Sequence, residues 1–203
     1  ADKDNVEHFA WQTSWGVSWR LIGAMIMAHG DDKGLVLPPK VAPMQIVIVP
    51  IYRNEEGKNS VLPKVEEIQN KLELNDIRIH VDDREGLSPG YKFNDWELKG
   101  VPLRIEIGPK DIENQKIVVA KRYNLEKIDL SFEEIEKIPL ILDEIQVEML
   151  KKAKEQAQNN TLEITDYLEF KSKIEKGGFF NSPWCGKLEC EDKIKEETGA
   201  EIR

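Results

Sequence analysis

The alternation of apolar and polar positions divides the chain into three blocks. From residue 1 to about 40 the pattern reads strand, buried helix, strand. "HFAWQTSW" alternates weakly, and residues 21–29 carry an almost wholly apolar run that suits a buried helix. Gly30 stands where a left-handed cap would end that helix, and "GLVLPP" is a short strand stopped by Pro38 and Pro39. From about 41 to 145 the pattern is α/β. "MQIVIVPI" (44–51) is a continuous β-branched run, as expected of a strand covered on both faces. Residues 60–74 place Val61, Leu62, Val65, Ile68 and Leu72 at helical spacing, and "IRIHV" (77–81) is the next strand. "SPGYKFNDWELKG" predicts a turn and a helix ending near Gly100, and "PLRIEIG" and "KIVVAKR" predict two half-exposed strands. Strands alternating with helices imply a mixed or parallel sheet flanked by helices.

In the third block, Ser131 and Glu134 have capping-box spacing, but Pro139 moves the start of the main helix to its own neighbourhood. A polar break at Asn159 and Asn160 precedes a second helix, about 164–176. "GGFFNSPWCGKLEC" then reads as loop and "EDKIKEETGAEIR" as a short charged helix. The domains expected are 1–42, 43–145 and 146–203.

Composition narrows the class. With 40% hydrophobic and 33% charged residues over 203 positions, the chain is globular rather than disordered. The longest apolar run, "LIGAMIMA", is far short of a membrane span, and no basic-then-apolar leader opens the sequence. A cytoplasmic protein without a membrane or DNA partner is the expectation. A net charge of −9 means that any RNA partner needs a local positive patch.

Arg20 raises the sharpest chemical question, because it precedes the apolar helix directly. The free N–H groups of a first turn carry partial positive charge, so a cation there is disfavoured by about 0.3–1 kcal/mol. An anion lodged at that point satisfies both, which makes phosphate or carboxylate binding one reading and pairing with an acidic residue elsewhere the other. Trp11, Trp15 and Trp19 fall within nine residues; Trp15 and Trp19 suit a pocket wall, though clustered tryptophans are more often plain core. Gly16 permits close approach of a ligand to the backbone. "HGDDKG" reads as a polar turn and His29 as a structural residue. Cys185 and Cys190 are the only cysteines. Their C-x₄-C spacing supplies half of a tetrahedral thiolate site.

The stretch "WQTSWGVSWRLIGAMIMAHGDDKGLVLPPKVAPMQIVIVPI" closely resembles motif 3 of the prolyl-tRNA synthetases, class II enzymes, continuing into their anticodon-binding domain. The resemblance is to the archaeal/eukaryotic-type branch. "VPLRIEIGPKDIE" and the tail "WCGKLECEDKIKEETGAEIR" extend it over essentially the whole chain. It implies a fold in three parts: the strand-helix-strand edge of the catalytic sheet, an α/β anticodon-binding domain, and a small α+β tail module resembling a zinc-binding domain. It implies ATP-dependent attachment of L-proline to tRNA(Pro) through prolyl-adenylate, with ATP and Mg²⁺ as cofactors and a homodimeric whole protein.

Residue by residue, Arg20 and Ser18 match the ATP site, and Trp15 and Gly16 the wall of the proline pocket. Glu97, Arg104, Lys110 and Asp111 match readers of the two anticodon guanines. Guanine offers acceptors at O6 and N7 to Arg or Lys, and donors at N1 and N2 to a carboxylate. Surface ion pairing is the alternative reading of those four. Trp19 departs from a usual threonine, and strand alternation would turn it away from the face of Ser18 and Arg20. Zn²⁺ in the tail would need a second cysteine pair that residues 1–203 lack. These residues also lack motifs 1 and 2, so by themselves they are expected not to activate proline. A free-standing anticodon-binding paralogue without catalysis, or a threonyl, glycyl or histidyl synthetase, are the competing functions.

Overall fold

The strongest apolar run of the middle block lies at the heart of a sheet. The computed structural model describes residues 1–202. Within them β1 (Ile46–Pro50), β2 (Ile79–Val81), β3 (Leu103–Ile107), β4 (Lys116–Lys121) and β5 (Lys127–Ser131) form a sheet in the order β2-β1-β3-β4-β5. β1 runs parallel to β2 and β3, with Ile46 opposite Ile79 and Leu103, while β4 is antiparallel to β3 and β5. Helix α2 (Glu55–Glu73) packs Val61, Val65, Ile68 and Leu72 on one face. Helix α5 (Ile138–Asn159) joins that core through Ile138, Ile141 and Ile145. Helix α3 (Pro89–Leu98) covers the other face and sets Trp96 against Val47 and Val49. The mixed sheet flanked by helices is the one the alternation of elements implies.

Several local expectations need correction. β3 is buried at all five positions rather than half-exposed. Its period-2 pattern is real, but the polar face lies under α3, where Arg104 and Glu106 satisfy each other. Helix α2 begins at Glu55 rather than at residue 60, because the Asn54 side chain accepts the Gly57 N–H at 2.9 Å and caps it there. The one-turn helix α4 (Pro109–Glu113) and strand β5 carry periodic signals too short to be read from the sequence.

In the third block the Ser131–Glu134 capping box opens a 3₁₀ turn, Phe132–Lys137, and α5 starts at Ile138. Pro139 then lies in a first turn, where its missing N–H has no partner to lose. Helix α5 runs unbroken to Asn159. The tail holds β6 (Thr161–Glu163), α6 (Tyr167–Ile174), β7 (Phe179–Asn181) and α7 (Leu188–Thr198), with β6 and β7 paired in parallel. "GGFFNSPWCGKLEC" is therefore not all loop, since it contains β7 and enters α7. Helix α6 is also shorter than expected. Strands of three residues are too brief to show alternation.

The first block departs most. Helix α1 (Arg20–His29) forms where the apolar run predicts it, but it is not the buried helix expected: none of its residues is buried, and Leu21, Ile22, Ile26 and Met27 are exposed, because the described residues cover little of its surface. Residues 7–18 form no strand, and Trp11, Trp15 and Trp19 are 103%, 94% and 87% exposed. A strand needs a neighbour, and among the described residues none lies beside this segment. The alternation argument for Trp19 fails with it, because Trp19 caps α1 in helical conformation. Gly30 is not left-handed, with φ −62. "GLVLPP" forms no strand, only an Asp31–Gly34 bridge, although the Leu35 and Leu37 N–H groups donate to the Leu98 and Gly100 carbonyls at 3.0 and 3.2 Å. Gly34 (φ +125) and Gly100 (φ +72) make this approach possible. A Cβ on Gly34 would come within 2.7 Å of the Leu98 backbone, and one on Gly100 within 2.6 Å of the Leu35 backbone. Among the described residues no helix is long and apolar enough to cross a membrane.

Candidate nucleic-acid interface

Ser88 and Pro89 start α3, with the Ser88 hydroxyl accepting the Tyr91 N–H at 3.3 Å. The turn of that helix sends Trp96 inward and leaves Glu97 at the rim. β3 brings Arg104 and Glu106 up beneath it. Arg104 is 8% exposed and lies 4.3 Å over the Phe93 ring. Its Nε and Nη2 donate to Glu106 Oε1 at 3.1 and 2.9 Å, and its Nη1 donates to Glu97 Oε1 at 3.2 Å. Glu97 keeps 24% exposure, and no described residue is bonded to its Oε2. The structure thus brings Glu97 and Arg104 together, with Arg104 tied up in ion pairs and Glu97 open on one side.

These two residues line a cleft of about 220 Å³ together with Lys33, Lys121, Arg122 and Lys127. Four of the five basic side chains that line it are held by carboxylates, Arg104 by Glu97 and Glu106, Lys121 by Glu126, Arg122 by Asp31 and Lys127 by Glu106, while Lys33 has no ion-pair partner among the described residues. Lys33, Lys121, Arg122 and Lys127 escaped the sequence analysis. The signal that Lys121, Arg122 and Lys127 left was basic residues where β4 ends and β5 begins, while Lys33, in the turn after α1, left none. Arg122 donates from Nε to the Glu97 carbonyl at 2.9 Å and from Nη1 and Nη2 to the two Asp31 carboxylate oxygens at 2.8 and 2.6 Å. The bonds from Arg122 hold Asp31 at about 2, well below the usual carboxylate range.

Lys110 and Asp111 lie at the opposite end of β3. A strand rises about 3.3 Å per residue, so Gly108 stands roughly 13 Å along from Arg104. Asp111 accepts the Gly108 N–H at 2.8 Å and caps α4, while Lys110 is exposed and its ammonium has no partner among the described residues. The four matched positions therefore do not form one cluster. A second cleft of about 260 Å³, at the C-terminal ends of β1 and β2, is lined by Tyr52, Arg53, Lys58, Arg84 and Lys92 and by none of the expected residues.

Arg20 opens α1 with no acidic residue in its first turn and no side-chain cap. It is exposed, and no described residue pairs with it. The Ser18 carbonyl accepts the Leu21 N–H at 3.1 Å, and nothing approaches Gly16 within 4 Å of an added Cβ. In the tail, Cys185 is exposed and Cys190 half-buried, and a hydrogen bond from the Cys190 thiol draws the Cys185 thiol below its ordinary pKa. No group of three or more His, Cys, Asp or Glu side chains able to hold a metal occurs among the described residues. Two thiols do not complete the four-ligand set of structural zinc, so these residues do not fit that ion.

Comparison with known proteins adds to this geometry. The family model described as "Anticodon binding domain" matches residues 45–140, and "Prolyl-tRNA synthetase, C-terminal" matches residues 167–203. The chain is 54% identical over its full length to a proline–tRNA ligase of Cenarchaeum symbiosum, of which it covers 43%. It is 51% identical over 94% of its length to that of Acetoanaerobium sticklandii, covering 40%. A proline–tRNA ligase of Chloroflexus aurantiacus is 46% identical over the whole chain, which covers 42% of it. The chain thus spans about two fifths of the length of these relatives. An anticodon-binding sheet domain followed by the prolyl-specific tail, matched end to end in such relatives, places this chain in the prolyl-tRNA synthetase family.

Proposed function

We propose that the whole protein joins L-proline to tRNA(Pro) through prolyl-adenylate, and that this chain supplies the motif 3 segment (1–42), the anticodon-binding domain (43–145) and the C-terminal module (146–203). The observation that carries this reading is end-to-end similarity to proline–tRNA ligases together with the prolyl-specific match over residues 167–203. That tail match also disfavours the threonyl, glycyl and histidyl alternatives.

In this reading the open Glu97 Oε2 accepts from N1 and N2 of a guanine seated in the cleft, and Arg104 orients that carboxylate from below. Lys33, Lys121 and Lys127 attract the adjoining phosphates. Lys110 and Asp111, at the far end of β3, read the neighbouring base. Arg20 holds the outer phosphate of ATP at the amino end of α1, with Ser18 beside it, and Trp15 and Gly16 wall the proline pocket. The exposed tryptophans are then faces that the rest of a catalytic domain covers, in a homodimeric whole protein. Mg²⁺ bound with the nucleotide would offset phosphate charge there.

The test uses the whole protein. Glu97→Ala or Lys110→Ala lowers kcat/KM for charging tRNA(Pro) by about 10–100-fold, the scale of one good base contact, and leaves ATP–pyrophosphate exchange intact. Equal losses in both assays would assign these residues to the fold instead.

A further inference from the structure

We propose that the Asp31–Arg122 ion pair is a strut joining the Glu97/Arg104 cleft to helix α1, with Arg122 as a positioning residue through which an occupied cleft raises the rate of charging. The inference rests on reading the cleft as the anticodon site. One residue, its side chain 2% exposed, bonds to three segments, through its backbone to one and through its guanidinium to two. The Arg122 backbone N–H, at the end of β4, donates to the Pro102 carbonyl at 2.9 Å. Its Nε donates to the carbonyl of Glu97, in the last turn of α3. Its two Nη groups clasp both oxygens of Asp31, two residues beyond the end of α1. A two-pronged guanidinium–carboxylate pair fixes orientation as well as distance, which a single charge cannot do.

The surrounding contacts support the same connection. Lys33, in the turn that Asp31 opens, lines the cleft, so the segment after α1 supplies part of its wall. Gly34 and Gly100 let that segment lie flush against the end of α3. A guanine that pulls on the Glu97 carboxylate also pulls on the residue whose carbonyl Arg122 holds, and the clasp on Asp31 passes that displacement to the helix bearing Arg20.

The experiment uses the whole protein carrying Arg122→Gln, Arg122→Lys, Asp31→Asn or Asp31→Glu. It measures tRNA-independent ATP–pyrophosphate exchange, then kcat and KM for tRNA(Pro) and for tRNA(Pro) with one anticodon guanine changed to adenine. With Arg122→Gln, Arg122→Lys and Asp31→Asn, exchange and KM stay within about threefold while kcat for the cognate tRNA falls about tenfold and the cognate-to-altered kcat ratio moves towards one. Asp31→Glu retains most of kcat, because the clasp survives. Unchanged kcat, a rise in KM alone, or a parallel fall of exchange and kcat would overturn the strut. Glu97→Gln tests the underlying reading separately. If that variant still discriminates fully against the adenine tRNA, the cleft is not the anticodon site, whatever the strut variants do.

Discussion

Asp82 accepts the indole N–H of Trp96 at 2.7 Å, although the carboxylate has no solvent exposure at all. It sits just past β2 and gathers the surrounding charge. Arg84 donates to it through Nε at 2.9 Å and Nη2 at 2.7 Å, while the buried Lys92 donates to its carbonyl at 2.9 Å. The carboxylate thereby anchors α3, the helix that bears Glu97, against the end of the parallel strands. Asp82→Ala leaves Lys92 buried without its counter-charge and Trp96 without an acceptor, and is expected to destabilise the protein by about 3–5 kcal/mol. Urea unfolding followed by Trp fluorescence measures it; a loss under 1 kcal/mol would show that the network is replaceable.

Acid should weaken the same anchor. Burial pushes the Asp82 carboxyl upward, but hydrogen bonds from Arg84 and Trp96 and the charge of Lys92 outweigh it and hold it well below the ordinary range. A depressed folded value means that the stabilisation is present above the unfolded value of about 3.9 and is lost as pH falls towards the folded one. Asp31, held at about 2 by Arg122, acts with the same sign. Stability should therefore fall from about pH 5 downward, and Asp82→Asn should flatten that fall. Parallel pH curves for the two proteins would remove Asp82 from the explanation.

Gly100→Ala tests the close approach between the segment after α1 and the end of α3. The substitution meets both a positive φ and backbone atoms of Leu35 at 2.6 Å, so a loss of about 1–3 kcal/mol is expected. The same change at Gly90, where nothing lies within 4 Å of an added Cβ, serves as the control. Comparable thermal shifts in the two variants would mean that the contact carries no special cost.

The tail thiols should differ in reactivity. Cys185 is exposed and its pKa is lowered, first by the hydrogen bond from Cys190, whereas that bond raises Cys190. Because the thiolate is the nucleophile, Cys185 should be alkylated first, with a rate–pH profile shifted to the acid side of an ordinary thiol. Cys190→Ala removes the donor and should move the profile back. Mass-spectrometric mapping of iodoacetamide adducts decides it, and preferential labelling of Cys190 would contradict the arrangement.

Much of the middle block was legible because its signals are local. The β-branched run "MQIVIVPI" reads as a strand covered on both faces, and Val61, Val65, Ile68 and Leu72 fall at helical spacing on one side of a helix, as the structure has them. The candidate site was legible in part. Glu97 and Arg104 could be named from the resemblance, but that they touch while Lys110 and Asp111 lie at the other end of β3 depends on how strand and helix cross.

The sequence by itself determined the order and type of the long elements and the family resemblance, because hydrophobic period and motif spacing act along the chain. Only the tertiary structure decided that β3 is sealed on both faces, that "HFAWQTSW" finds no strand to pair with among the described residues, and that Arg122 clasps Asp31, 91 positions earlier in the chain. Burial, strand pairing and charge partners are properties of what lies beside a residue in space, and the sheet brings together positions that no local pattern connects.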